Sequence, residues 1–162
     1  MLSWIGPERL VIGGVPSAAT LAGLAEQGVT HVVNCRASVQ TWYTRDLAAE
    51  HALFGTSRVV HAPMWDHGLP QRRRLWSAAA CFAAEALADD PAARVLVHCQ
   101  AGRRRSVMMA YAVLRLRGHS AASATGLIRA HHPPAEFVPA YLSSVDRWLA
   151  AGAAPVGRLR IR

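Results

Sequence analysis

A chain of 162 residues is long enough to fold as one domain with a sizeable hydrophobic core, and it is too short for two such domains. Its hydrophobic fraction of 52% excludes an intrinsically disordered chain, and no apolar run reaches membrane-spanning length. The net charge of +8 comes from an excess of arginine, because lysine is absent, and it predicts attraction to anionic partners.

The remaining composition narrows the location and the partners that we expect. The first residues lack the charged and apolar regions of a secretory signal, and three cysteines without disulfide-framework spacing suit a reducing cytoplasm. Aromatic residues do not alternate with the arginines as they do in platforms for single-stranded nucleic acid. We expect a cytoplasmic protein with no membrane span and no sequence-specific nucleic-acid partner. We take it to be a monomer, and its wealth of alanine and arginine indicates a bacterial source.

In chain order, the first half of the sequence predicts three strands. Arg9 to Ile12 is an aliphatic strand that ends at two glycines, Thr30 to Cys35 is the second strand, and Arg58 to Ala62 is the third. A helix between the first two strands begins after Ser17, which suits an N-cap, and stops at Gly28.

The second half predicts one further strand, Val95 to Val97, and four helices. A long helix is expected to begin at Pro70, because proline is common in a first helical turn, and to end at Asp89. The other expected helices are Arg105 to Arg117, Ser120 to His131, and Pro139 to Ala150. Residues 152–162 are expected to form a basic, flexible tail.

Between the strand Val95 to Val97 and the helix from Arg105 lies a short loop, with Cys99 at its start and Gly102 in its middle. A strand, a tight loop and a helix N-terminus in that order form an anion-binding cradle, because backbone N–H groups point inward and the helix dipole adds positive potential. Such surroundings lower the pKa of a cysteine from about 8.5 to between about 3.5 and 7.5. Cys99 is the candidate nucleophile.

Four residues near Cys99 have side chains or backbone suited to an anion-binding loop. Arg105, six residues further on, can curl back and hold two phosphate oxygens with its planar guanidinium. Gly102 allows a positive φ or a close approach of a ligand. Ser106 can hydrogen-bond the thiolate, and His98 can orient the loop from behind.

The pattern His98-Cys99, five residues, then Arg105-Ser106 resembles the signature of the cysteine-dependent protein tyrosine phosphatases. The filling Gln100-Ala101-Gly102 is similar to that of the dual-specificity branch. The resemblance covers about residues 8–150 and implies a catalytic domain over residues 1–151. It implies a single α/β domain in which helices flank a central, mostly parallel sheet of four or five strands. It also implies hydrolysis of a phosphorylated substrate, foremost a protein, through a cysteinyl phosphate and without a cofactor or metal.

Asp66 is the candidate general acid, because a departing alkoxide or phenolate must be protonated. It lies in a loop punctuated by proline and glycine, and it precedes Cys99 by 33 residues, a separation similar to that in dual-specificity phosphatases. The resemblance then implies that Arg105 stabilises the phosphoryl oxygens and that Asp66 protonates the leaving group. It also implies that Ser106 assists the departure of the thiolate in the second step, in which the cysteinyl phosphate is hydrolysed.

The segment after the second strand is less clear. Residues 38–43 are expected to form an exposed loop and residues 45–51 a short helix. In the resembled family this region helps to form the rim of the active site, so Trp42, Tyr43 and Arg45 are candidate substrate contacts. Ordinary packing and solvation are the alternative for each of them.

One departure from the resembled pattern concerns the substrate. The family often has a small residue just before the signature arginine, whereas Arg103 and Arg104 here add charge to the loop. Together with His98, Gln100, Ala101 and Gly102 they are candidate substrate-binding residues. The extra charge keeps a more anionic substrate open: a phosphoinositide, an inositol phosphate or an RNA 5′-phosphate.

Other classes of protein also have a loop that surrounds a cysteine or binds phosphate. A rhodanese-type sulfurtransferase has one, but Asp66 and the Arg105-Ser106 pair argue against it. A non-catalytic phosphate-binding module would have no need of the acid. A low-molecular-weight phosphatase or an arsenate reductase is disfavoured by chain order, because there the cysteine lies near the N-terminus and the acid follows it.

Overall fold

A computed structural model describes residues 1–157, so Arg158, Arg160 and Arg162 of the predicted tail lie outside the described residues. Five strands form one sheet: β1 (Leu2–Ile5), β2 (Leu10–Gly14), β3 (His31–Asn34), β4 (Val59–His61) and β5 (Val95–Cys99). The described residues also form α1 (Ala18–Glu26), α2 (Ser38–Thr44), α3 (Asp46–Phe54), α4 (Ser77–Asp89), α5 (Arg105–Leu116), α6 (Ala121–His131) and α7 (Pro139–Ala150).

The strands follow the order β1-β2-β5-β3-β4, and every pairing is parallel except the antiparallel pair of β1 and β2. Strand β5 lies at the centre, hydrogen-bonded to β2 on one side and β3 on the other, and all five of its residues are buried. The predicted α/β fold with a mostly parallel sheet is confirmed. The sequence analysis missed β1, an edge strand whose first three residues are only half-buried.

Side chains of β5 alternate between two apolar layers. Val95, Val97 and Cys99 belong to the larger core, which α4, α5, α6 and α7 complete, whereas Leu96 belongs to the smaller core with α1 and α3. Because successive strand residues point to opposite faces, His98 shares the face of Leu96. The alternation directs the Cys99 thiol towards α5 and the His98 ring towards α3.

The helix expected from Pro70 begins seven residues later, at Ser77, so that prediction of the helix start is wrong. Gln71 supplies the reason. Its backbone N–H donates to Ser144 Oγ at 3.0 Å, and its side-chain amide donates to the Trp65 carbonyl at 2.6 Å. These two bonds, the first of them to α7, hold the chain in a loop where the local pattern favours a helix.

Residues 38–44 form helix α2, so the expected exposed loop is also wrong. The Gln40 side-chain oxygen accepts a hydrogen bond from the Ala37 backbone N–H at 3.1 Å, which caps the first turn. The same oxygen accepts from Arg105 Nη1 at 3.0 Å. A contact with the signature arginine therefore stabilises a helix whose composition, with a valine and two threonines, is a poor helix signal.

The described start of the predicted tail packs against the domain. Trp148 Nε1 donates to the Ala154 carbonyl at 2.8 Å, and the Val156 backbone N–H donates to Ser77 Oγ at 2.9 Å. The first bond ties the segment after α7 back to α7 itself, and the second ties it to the first residue of α4. Within residues 1–157, none of the helices combines the length and the apolar character needed to cross a membrane.

Candidate active site

Cys99 ends β5, and helix α5 begins six residues later at Arg105. The Cys99 Sγ accepts a hydrogen bond from the Gly102 backbone N–H at 3.3 Å and lies 3.3 Å from Ser106 Oγ. The Gly102 N–H is a donor to the sulfur, and in the contact with Ser106 either the hydroxyl or the thiol can donate. The N-terminus of the 12-residue α5 adds its dipole, so the loop beside the sulfur favours a bound anion such as a phosphate.

Gly102 gives the loop its shape. Its φ is +72°, and its carbonyl accepts a hydrogen bond from His132 Nε2 at 2.6 Å. The buried His132 ring also contacts Ser3 Oγ at 2.8 Å through Nδ1. The sequence analysis gave His132 no role in the loop, because nothing local connects it to a residue 30 positions away.

We expect the substitution Gly102→Ala to disrupt the anion site. A Cβ at this position would lie 2.3 Å from the Gly14 nitrogen and 2.4 Å from the Gly13 carbonyl carbon, so the backbone would have to shift and move its N–H off the sulfur. Affinity for vanadate, measured by calorimetry, is expected to fall by about tenfold or more. Gly126→Ala in α6, where a Cβ meets nothing within 4 Å, is the control, and equal affinities would contradict this expectation.

Arg105 is 4% exposed, and its guanidinium joins two segments. Its Nη1 donates to Gln40 Oε1 on α2 at 3.0 Å and to the Met64 carbonyl at 2.9 Å. Met64 begins the approach to Asp66, so this one side chain brings α2 and the loop of the candidate acid together. Arg105 Nε is buried and has no hydrogen-bond partner within residues 1–157. An unpaired buried donor on a cation is costly, and a phosphate oxygen would satisfy it.

Two side chains hold the Asp66 carboxyl. Tyr141 Oη, on α7, donates to Oδ1 at 2.8 Å, and Arg104 Nη1 lies 3.3 Å from the same oxygen. Tyr141 Oη also accepts from the Gly68 backbone N–H at 3.0 Å, so one hydroxyl fixes both the acid and its loop. Burial, reinforced by the Asp66 carboxylate, raises the pKa of Tyr141, which keeps its phenol protonated as a donor. The sequence analysis missed Tyr141.

The two additional loop arginines face carboxylates. Arg103 Nη2 lies 2.8 Å from Glu136 Oε1, and Arg104 lies between Asp66 and Glu136, with its Nε 3.7 Å from the latter. The Arg104 guanidinium also lies over the Tyr141 ring. These ion pairs are partly exposed and weak enough for a substrate anion to compete. A role of Arg103 and Arg104 in substrate binding stays a prediction.

The first two loop residues, Gln100 and Ala101, are exposed, and contacts with Arg36 and Gly14 hold them in place. The Gln100 side-chain oxygen accepts from the buried Arg36 Nε at 2.9 Å. Ala101 forms a backbone bridge with Gly14 at the end of β2. Their backbone lies within the cradle, and the predicted substrate contact through it stays a prediction.

A buried polar network lies behind the loop. His98 Nε2 and Glu50 Oε1 are 2.5 Å apart, and Asn34 Nδ2 donates to Glu50 Oε2 at 3.1 Å and to Asp46 Oδ2 at 2.9 Å. Arg36 Nη1 pairs with Asp46 Oδ1 at 2.7 Å. The sequence analysis missed the roles of Arg36, Asp46 and Glu50; polar residues directly after the apolar run of β3 were the available signal for Arg36.

Asp46, Glu50 and His98 are the one group of candidate metal ligands found among the described residues, with ligand atoms within 4.8 Å of one another. The donors of Asn34 and Arg36 already point at the two carboxylates. A positive guanidinium beside Asp46 disfavours a cation there. We interpret this group as a structural support for the loop.

We expect Asp46→Asn to remove the part of the free energy of unfolding that depends on ionisation of the Asp46 carboxyl. Burial acts to raise the pKa of Asp46, but hydrogen bonds from Thr44, Arg36 and Asn34 outweigh it and hold the pKa below its usual value. Because the folded-state pKa is the lower one, this carboxylate stabilises the fold above the unfolded pKa of about 3.9, and that stability is lost as the pH falls through the folded pKa. Thermal unfolding from about pH 7 to pH 3 measures it. Exposed Asp89→Asn is the control, and an unchanged pH dependence in Asp46→Asn would contradict the expectation.

No family model matches the chain. Among solved structures, human DUSP28 has 23% sequence identity and a TM-score of 0.71, covering 94% of this chain and 95% of that chain. The human tyrosine phosphatase-like serine/threonine/tyrosine-interacting protein has 20% identity and a TM-score of 0.73, covering 94% and 98%. Tk-PTP in its active form has 20% identity and a TM-score of 0.73, covering 90% and 94%.

These similarities span nearly the whole of each chain, and they show that this chain has the fold of the dual-specificity phosphatases. The resemblance that rested on the signature is confirmed at the level of the fold. Because one fold serves several functions, the fold alone does not determine the activity.

Proposed function

We propose that this chain is a cysteine-dependent phosphatase that hydrolyses phosphomonoesters of proteins through a cysteinyl phosphate. One observation carries the proposal. The Cys99 sulfur accepts the Gly102 N–H within a loop whose arginine, Arg105, retains a buried Nε without a partner in the described chain. A nucleophile and an unsatisfied cationic donor in one anion cradle suit phosphoryl transfer.

In the first proposed step, the Cys99 thiolate attacks phosphorus in line with the ester oxygen. The S–P bond forms, the P–O bond to the leaving group breaks, and Asp66 transfers its proton to the departing oxygen. Arg105 and the loop N–H groups stabilise the charge on the three equatorial oxygens. Tyr141, through its 2.8 Å hydrogen bond, holds the Asp66 carboxyl beside Arg104 of the loop.

In the second proposed step, water attacks phosphorus and Asp66, now a carboxylate, accepts a proton from it. The P–O bond to water forms, the S–P bond breaks, and the products are inorganic phosphate and the Cys99 thiolate. Ser106 Oγ, 3.3 Å from the sulfur, stabilises the departing thiolate. We propose that both steps proceed with these side chains and without a metal or another cofactor.

Protein phosphoesters are the substrate that we favour. A phosphoinositide is the second candidate, because Arg103 and Arg104 are exposed or partly exposed cations in the loop itself. One similar solved structure is of PTPMT1 in complex with PI(5)P, with 19% identity and a TM-score of 0.71. We also propose that the chain acts as a monomer in the cytoplasm, where its three free cysteines stay reduced.

The proposal is tested by trapping the intermediate. Asp66→Asn protein is mixed with p-nitrophenyl phosphate in EDTA, quenched with acid, and digested for mass spectrometry. The expected result is one added phosphate on the peptide that contains Cys99, together with p-nitrophenol released by the wild type in EDTA. A reduced, folded wild type without turnover and without a phosphorylated cysteine would support a non-catalytic phosphate-binding module instead.

A further inference from the structure

A groove of about 750 Å³ lies between α2 and α3, and the proposed reaction does not use it. Residues of both helices line it, with Leu47 and Ala48 of α3 supplying apolar surface. Trp42 and Tyr43 of α2 are 78% and 82% exposed. Two neighbouring aromatic side chains exposed to this extent beside a groove are typical of a surface that binds a partner.

The free charge at this groove is positive. Arg45, which joins α2 to α3, is exposed and forms no ion pair or hydrogen bond through its side chain within residues 1–157. The acidic residues of α3 are turned away from solvent: the Asp46 side chain is 11% exposed and the Glu50 side chain 1%, and both bind the buried network. An acidic ligand would therefore meet Arg45 without competition from a neighbouring carboxylate.

The backbone conformation of Arg45 is also unusual for an arginine. Its φ is +55°, a conformation that glycine or asparagine adopts at a lower cost. Arg9 also has a positive φ, but its guanidinium hydrogen-bonds the carbonyls of Leu87, Asp90, Pro91 and Ala93. The Arg45 side chain has no such structural role among the described residues, which leaves it available to a ligand.

A further polar atom in the groove lacks a partner. His51, which lines the groove from α3, has a buried Nε2 atom without a hydrogen-bond partner among the described residues. A ligand that brings a carboxylate or carbonyl next to an apolar group would satisfy both kinds of surface.

The groove is one helix away from the mouth of the active site. Gln40 contacts Arg105 from one side of α2, while Ser38, Trp42 and Arg45 line the groove from the opposite side. A helix with its side chains is about 10–12 Å across. An extended peptide covers that distance in three or four residues, at roughly 3.3–3.6 Å per residue.

We propose that this groove is a second substrate site, for a phosphoprotein segment with an apolar side chain and an adjacent acidic residue. The pair lies three and four positions from the phosphorylated residue. The apolar side chain enters between Trp42 and Leu47, and the acidic side chain pairs with Arg45. A concave groove between two helices suits an extended peptide better than it suits the flat surface of a membrane. This inference rests on the proposed phosphatase function for its substrate class.

Binding to the inactive Cys99→Ser protein tests the site independently of turnover. The probes are fluorescent phosphotyrosine peptides with Leu-Asp at the third and fourth positions before or after the phosphotyrosine, and matched peptides with Ala-Ala. Fluorescence anisotropy should show about tenfold tighter binding of one Leu-Asp peptide. That preference should be lost with Trp42→Ala and reduced with Arg45→Gln. Leu53→Ala, on an exposed part of α3 outside the groove, is the control that should keep it.

Equal binding of Leu-Asp and Ala-Ala peptides by the parent protein would overturn the inference, as would a preference that survives Trp42→Ala. Turnover of a phosphoinositide in phosphatidylcholine vesicles that depends on Trp42, without any peptide preference, would also overturn it and assign the groove to lipid. Failure of the phosphatase proposal gives a different result, because wild-type protein would then release no p-nitrophenol. The peptide preference measured by anisotropy does not depend on turnover.

Discussion

Replacing Cys99 with serine is expected to lower kcat/KM for p-nitrophenyl phosphate by about 10⁵-fold or more. In the proposed mechanism the sulfur attacks and leaves as a thiolate, which hydrogen-bonds the Gly102 N–H and Ser106 Oγ, each 3.3 Å from the sulfur. A serine hydroxyl is a far weaker acid, so the same donors would face a neutral group that neither attacks nor leaves readily. Steady-state kinetics with a burst-sensitive stopped-flow assay measure the loss.

The two other cysteines provide the controls for this prediction. Burial raises the pKa of Cys35 well above its usual value and also raises the pKa of Cys81, so neither is a ready nucleophile. Cys81→Ser, in the half-buried middle of α4, should retain activity. Turnover by Cys99→Ser at more than a small fraction of the wild-type rate would show that another group is the nucleophile.

The sequence predicted the parts of the site that are contiguous in the chain. The aliphatic run before Cys99, the glycine in the loop and the helix from Arg105 lie within a few residues of one another, and their local preferences agree. Because a strand, a loop and a helix N-terminus form an anion cradle by local geometry alone, tertiary structure did not have to be known. The confirmed fold follows from the same regular alternation of strands and helices.

The residues that support the site could not be found in this way. Tyr141 meets Asp66 across 75 residues of chain, and Glu50 meets His98 across 48. Neither pair has a spacing that local periodicity can detect, since both depend on how helices pack on the sheet. Helix α2 shows the same limit, because the contact between Gln40 and Arg105 stabilises it against its composition.

Replacing Asp66 with asparagine is expected to lower kcat by about 10²- to 10⁴-fold for a phosphopeptide or another ester with a poor leaving group. Asparagine keeps the shape and can still accept the Tyr141 hydroxyl hydrogen bond, but it has no carboxyl proton to give to the departing oxygen. An ester whose leaving group is a stable anion needs that proton less. The effect on p-nitrophenyl phosphate should therefore be smaller than the effect on an alkyl or unsubstituted phenyl phosphate.

A series of aryl phosphates with leaving groups of graded pKa measures this difference. The rate of wild type should depend weakly on the leaving-group pKa, because protonation offsets the charge, whereas the rate of Asp66→Asn should fall steeply as that pKa rises. Tyr141→Phe removes the 2.8 Å hydrogen bond and keeps the carboxyl, so it should show a smaller loss and an intermediate slope. Equal slopes for wild type and Asp66→Asn would show that Asp66 does not protonate the leaving group. The ion pair with Arg104 would then be its main role in the structure.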